Sequence, residues 1–130
     1  MGIYTFHKTE RLNREKNIQE LFKKGSSFYL YPFKVVYLPV SDPTVTQPQI
    51  LISVSTRNFA RAVDRNLIKR RVREAYRLQK EIIQGGSKKG AFAFIYTAKS
   101  VMPFAEIKNK LFLVLEKIEK LEFVSQDKAQ

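Results

Sequence analysis

Residues 53–80 of the chain read SVSTRNFARAVDRNLIKRRVREAYRLQK. On a helical wheel at about 100° per residue, Ile68, Val72, Ala75, Tyr76, Ile82 and Ile83 gather on one side. Asn66, Lys69, Arg70, Arg73, Arg77 and Lys80 gather opposite or beside them, and Arg65 stands at the edge of the apolar stripe. A helix of this pattern, expected over residues 60–83, needs an apolar core against one face. Its other face needs water or a polyanion. From Arg61 to Lys80 there are eight basic residues: Arg61, Arg65, Lys69, Arg70, Arg71, Arg73, Arg77 and Lys80. The acids available to offset them are Asp64 and Glu74, with Glu81 just beyond. A row this one-sided repels itself unless an anion neutralises it, which argues against an ordinary solvated face laced with i,i+4 pairs.

The rest of the composition agrees with that demand. Lys and Arg number 24 against 12 acids, a formal charge of +12, which points to a polyanionic partner. Apolar residues make up 44% of the 130, including 10 Phe and 6 Tyr, enough for one folded domain over 1–130. The absence of Cys excludes disulfides, thiolate metal sites and a Cys nucleophile, and His7 is the only histidine. No apolar run approaches the ~18 residues of a membrane span. The stretch MGIYTFHKTER has no apolar signal region, and Phe6 weakens a myristoylation reading of Met1–Gly2. A cytoplasmic protein is therefore expected.

The remaining elements follow from periodicity and breakers. A first helix is expected over residues 13–24, with Asn13 as N-cap, Gly25 as the residue after its end, and Ile18, Leu21 and Phe22 on one face. Residues 27–40 read as one extended run, with Phe33, Val35 and Tyr37 pointing one way and Lys34, Val36 and Leu38 the other. A second strand is expected over 49–55 and a third over 91–97. A hairpin-type connection is expected at 41–49, a Gly-rich loop at 85–90, and a polar tail from about 125. Pro103 opens a last helix striped by Phe104, Ile107, Leu111, Val114, Ile118 and Leu121. The order is α-β-β-α-β-α, an α+β sandwich of a small sheet with helices.

The physical use of the basic face is contact with phosphate. Arg offers a planar fork matched to two phosphate oxygens, and Lys offers a point charge. Asn66 adds a neutral donor and acceptor able to reach a 2′-hydroxyl or a base edge. This spacing does not separate RNA from DNA.

The segment AVDRNLIKRRVREAYR resembles the signature helix of the bacterial ribonuclease P protein component. Arg65, Asn66, Lys69, Arg70 and Arg73 match its basic pattern, with Ala62 and Val63 before and Glu74 after. Arg11-Leu12, Phe22 and Gly25 resemble the family's first helix, and Ile52-Ser53-Val54-Ser55 the strand before the basic helix. The resemblance departs at Leu67, where the signature has its second Arg, and at Thr56, where a Lys is usual. The stretch 56–61 is also one residue longer than the commonest form and lacks its Gly.

This resemblance implies the ribosomal protein S5 domain 2-like fold with a left-handed crossover. It implies the protein subunit of a ribonucleoprotein whose RNA removes the 5′ leader of precursor transfer RNA, with Mg²⁺ at the RNA. No cofactor is then expected on the protein, and no obligate protein partner. The RNA-binding residues it implies are Arg57, Arg61, Arg65, Asn66, Lys69, Arg70, Arg73 and Arg77. It further implies a cleft between the sheet and the first helix for the single-stranded leader, lined by Phe22 and by Tyr37 or a neighbour. Core packing is the alternative for both rings. If it holds for Tyr37, the cleft lies on the other face of the strand, near Lys34, Val36 and Leu38.

The residues suggest no catalytic or metal site in the chain itself. A two-metal nuclease needs clustered carboxylates, and no acid-x-acid pair occurs. Glu116, Glu119 and Glu122 share a helical side but alternate with Lys117 and Lys120. The stretch 85–90, GGSKKG, lacks the spacing of a phosphate-binding loop. A structural RNA-binding protein remains the competing class, separated from a ribonuclease P subunit by whether it promotes 5′ cleavage.

Overall fold

The computed structural model describes residues 15–39, 48–84 and 90–121. The expectations at His7, Asn13, most of the 41–49 and 85–90 loops and the tail from 125 lie outside the described residues. The elements are α1 (Glu15–Lys24), β1 (Ser26–Leu30), β2 (Phe33–Pro39), β3 (Gln49–Val54), α2 (Ala62–Gln79), α3 (Glu81–Gln84), β4 (Gly90–Tyr96) and α4 (Phe104–Lys120). The α+β class and the layering of helices on a small sheet hold. The element order differs from the expected α-β-β-α-β-α at two points.

First, the run 27–40 is a hairpin rather than one strand. It turns at Tyr31-Pro32, joined by a cis peptide bond, and β1 pairs antiparallel with β2 from Ser26↔Tyr37 to Leu30↔Phe33. Pro32 has no N–H for the ladder and sits at the turn between the two strands. Second, the long helix tightens at Lys80. There φ is −63° and ψ is −19°, and Ile83 N–H donates to Lys80 O at 3.1 Å, a 3₁₀-type turn between α2 and α3.

The sheet order is β1-β2-β4-β3, antiparallel except for β3 and β4, which run parallel across the α2–α3 connection; β4 lies between β2 and β3, so β2 and β3 do not form the hairpin expected across 41–49. Alternation along each strand sorts the side chains onto two faces. One face carries Phe33, Val35, Ile50, Val54, Phe92, Phe94 and Tyr96 into the main core, against Ile68, Val72, Ala75 and Tyr76 of α2 and Ile107, Leu111, Val114, Leu115 and Ile118 of α4. The stripes expected on both helices thus face the core, with Ile82, Phe104 and Leu121 only partly buried and Leu115 buried in addition. The other face carries Val36, Leu38, Ala91 and Ala93 beneath Leu21, with Ile18, Leu51 and Ile95 packed at the side.

Two small features fix this second layer. Ala91 and Ala93 present short side chains, so α1 can lie close to the sheet. Gly25 has no positive φ; its role is the close approach of the α1 end to β2. A Cβ there would collide with the Leu21 carbonyl and lie 2.9 Å from Tyr37 O and 3.0 Å from Val36 Cγ1.

The β4–α4 connection is held by the Tyr96 hydroxyl and tied to α2 by the Arg71 guanidinium. Tyr96 OH donates to Ser100 O at 2.7 Å and accepts from Met102 N–H at 3.1 Å. Met102 O in turn accepts from Arg71 Nη1 at 2.7 Å. Burial raises the Tyr96 pKa above the ordinary 10.0, against the opposing pull of the Met102 N–H.

Candidate nucleic-acid interface

Helix α2 buries Ile68, Val72, Ala75 and Tyr76, and this fixes what its opposite side presents. Asn66, Arg70 and Arg73 are exposed, Lys69 is half-buried beside them, and Arg57 and Arg61 are exposed in the approach to the helix. Asn66, Arg70, Arg73 and Arg77 follow one another at i, i+4, i+7 and i+11. At ~1.5 Å per residue they span about 16 Å, enough to meet several phosphates of a folded backbone.

Of the expected basic residues, Arg65 and Arg77 are engaged within the fold, Lys80 is buried, and the neighbouring Arg71 is engaged as well. Arg65 Nη1 donates to Phe59 O at 2.8 Å and Ala60 O at 2.9 Å, so its guanidinium shapes the loop that enters α2. Arg77 is held by Glu74 through Nε–H···Oε1 at 2.9 Å and Nη2–H···Oε2 at 2.6 Å. These hydrogen bonds hold the Glu74 carboxyl below the usual carboxylate range, and both side chains remain substantially exposed, so the pair adds little to stability. Lys80, expected on the basic arc, is only 2% exposed and stands where the helix tightens. Arg71 points to Met102 O instead of outward.

The expected pairing of Phe22 with Tyr37 needs correction. Tyr37 lies opposite Ser26 and Phe92 in the ladders and packs on the α2/α4 side, with its ring centroid 6.1 Å from that of Phe28. Phe22 is i+4 from Ile18 on α1, which covers the other side of the sheet, and it is 47% exposed. The two rings are separated by the sheet and cannot line one cleft.

On the α1 side of the sheet a further row lies beside those that Leu21 covers. In the registers Tyr29 pairs with Lys34, Lys34 with Ile95, and Ile95 with Ser53. Leu21 covers the neighbouring Val36–Ala93 and Leu38–Ala91 rows, leaving this row as an open shelf. Lys34 and Tyr29 are exposed, and Ile95 and Ser53 half-buried. Neither Tyr29 nor Ser53 is among the RNA-binding residues expected from the sequence. Pro32 inside the apparent single strand was the available signal, because it moves Tyr29 onto its own strand facing Lys34.

Among the described residues no group of three metal-ligating side chains occurs, and no helix is long and apolar enough to cross a membrane.

The sequence and fold both have relatives. The Ribonuclease P family model matches residues 6–119. The ribonuclease P protein component of Porphyromonas gingivalis is 45% identical over 76 residues, covering 58% of this chain and 56% of that protein. With this relative the chain thus aligns over little more than half of the relative's length. The component of Petrotoga mobilis is 31% identical over 122 residues, covering 88% of this chain and 96% of that protein. Among solved structures, the Staphylococcus aureus RNase P protein superposes with a TM-score of 0.70 at 29% identity, covering 88% of this chain and 98% of that one. The Thermotoga maritima RNase P protein superposes at 0.69 and 26% identity, covering 83% and 96%. The chain belongs to the ribonuclease P protein family.

Proposed function

We propose that this chain is the protein subunit of ribonuclease P, an endoribonuclease that removes the 5′ leader of precursor transfer RNA and leaves a 5′-phosphate on the mature end. The single observation that carries this reading is the division of the surface into two different RNA-binding chemistries. The exposed Asn66, Arg70 and Arg73 on α2, flanked by Arg57, Arg61 and Lys69, suit the phosphates of a folded RNA. We assign this face to the RNA subunit. The shelf of Phe22, Tyr29, Lys34, Ile95 and Ser53 combines aromatic faces with a single cation, which suits an unpaired strand with little base preference. We assign the shelf to the leader, with Lys34 and Tyr29 in the place first given to Tyr37.

In this account the protein binds and orients, and the RNA with its Mg²⁺ supplies the chemistry. Water attacks the scissile phosphodiester, and the leader departs with a 3′-hydroxyl. The protein acts in the cytoplasm as part of the ribonucleoprotein, without an obligate protein partner.

Reconstitution tests the proposal. The full chain, a bacterial ribonuclease P RNA, Mg²⁺ and precursor transfer RNA are combined, and 5′ cleavage is followed. Addition of the protein at limiting Mg²⁺ accelerates cleavage, and the protein without RNA cleaves nothing. Unchanged cleavage in its presence, or cleavage by RNA-free protein that disappears on mutating a Glu, overturns the assignment.

A further inference from the structure

The shelf ends at a corner made of two exposed aromatic rings. Tyr29 is 56% exposed and Tyr31 52%, and neither belongs to the two apolar clusters of the fold. Their centroids lie 6.5 Å apart with planes inclined at 57°, so neither ring covers the face of the other.

The corner is braced rather than loose. Thr97 N–H donates to Pro32 O at 2.7 Å, and Thr97 Oγ1 donates to the same oxygen at 2.9 Å. The threonine proton is thereby used, so in the 3.1 Å contact between Tyr29 OH and Thr97 Oγ1 the tyrosine is the donor. Tyr29 is tethered at its tip while its ring stands in solvent. Tethering an exposed ring removes part of the ordering cost of using it as a stacking surface.

Beside Tyr31 lies an open depression of about 370 Å³, lined by Tyr31, Thr97, Ala98, Lys99 and Ser100. That volume falls in the range of small-ligand clefts. Its lining pairs an aromatic wall with an exposed ammonium, the combination that accepts a base and its phosphate.

We propose that this corner is a further nucleotide-binding site. It takes one unpaired nucleotide of the strand that crosses the shelf, with the base against Tyr31 in the depression and a phosphate at Lys99. The occupant is the leader itself, continued past Tyr29, so the proposal rests on the shelf reading above. Charge complementarity selects it: the chain carries +12, and Lys34 and Lys99 bracket the two rings. The consequence is a dependence of affinity on leader length, with an added increment when the strand becomes long enough to turn the corner.

The test uses the full chain and end-labelled single-stranded RNAs of one composition, from ~4 to ~12 nucleotides, a span typical of single-strand sites. Affinity is read by fluorescence anisotropy. Tyr31→Ala and Lys99→Ala bind the shortest strands as the parent does and lose about tenfold in affinity on the long ones, within the range for one stacked base. Tyr31→Phe keeps the parent affinity, because the ring face is retained. Lys34→Ala weakens every length. Parent-like binding of all lengths by Tyr31→Ala and Lys99→Ala, with Lys34→Ala still weakened, overturns the corner and leaves the shelf standing. Parent-like binding by all three overturns both. A loss in Tyr31→Phe equal to that in Tyr31→Ala overturns stacking as the mode of binding.

Discussion

The Tyr96 hydroxyl offers the most quantitative test of how the fold holds its functional elements together. Tyr96→Phe removes one oxygen from a side chain only 1% exposed and leaves the ring packed against Phe33 and Phe59. Two partners are affected. Ser100 is exposed, so its carbonyl recovers a hydrogen bond from water at little cost. Met102 is buried, and its N–H is left without the Tyr96 oxygen. An unsatisfied buried donor costs about 1–3 kcal/mol, so the substitution should destabilise the chain by that amount. For a domain of this length that lowers Tm by roughly 3–12 °C.

The pH dependence provides an internal control. The folded-state pKa of Tyr96 is raised, so its contribution is fully present below the ordinary value of 10.0 and is lost as pH rises through the folded value. The stability difference between parent and Tyr96→Phe, measured by urea unfolding, should therefore be constant from neutral pH to about 10 and narrow above it. A difference under 0.5 kcal/mol at neutral pH, or one that widens in alkali, would refute the assigned hydrogen bonds.

Other substitutions separate structural from binding roles. Gly25→Ala forces a Cβ against the Leu21 and Tyr37 carbonyls and should cost about 1–3 kcal/mol in thermal or denaturant unfolding, although Ala is otherwise the better helix former. Arg71→Ala loses the charge-assisted bond to Met102 O and should cost about 1.5–3 kcal/mol, whereas the exposed Arg73→Ala should stay within about 0.5 kcal/mol and instead weaken RNA-subunit binding. Tyr37→Ala should lower stability, by less than the ~3–5 kcal/mol of a fully buried aromatic, and harm binding of precursor and mature transfer RNA alike. Lys34→Ala should leave the melting curve unchanged and weaken only the leader-bearing substrate.

These contrasts also mark what was legible in the sequence. The stripe Ile68, Val72, Ala75 and Tyr76 fixed by subtraction which arginines face outward, because a buried helical face leaves its opposite exposed. The alternation of Phe33, Val35 and Tyr37 against Lys34, Val36 and Leu38 was read correctly, with the first set on the main-core side and the second on the side that carries α1. Alternation does not say which face a distant helix covers, so Tyr37 was assigned to the cleft on the wrong side of its own strand. The hairpin was signalled by Pro32 but lacked the Asn-Gly or Gly-containing pair that marks most tight turns. The turn at Lys80 has neither Gly nor Pro to announce it. The duties of Arg65 and Arg71 depend on the carbonyls of Phe59, Ala60 and Met102, which packing alone brings within reach.

The central claim is that the outward face of α2 meets the RNA subunit through phosphates. Its most direct measurement is the salt dependence of RNA-subunit binding by the parent chain and by Lys69→Ala, Arg70→Ala and Arg73→Ala. Each lost phosphate contact should flatten the slope of log K against log salt concentration by about 0.7–0.9. Flattening by about that amount is expected in each variant, with unfolding midpoints close to the parent. Slopes equal to the parent slope in all three variants would contradict it and remove this face from the interface.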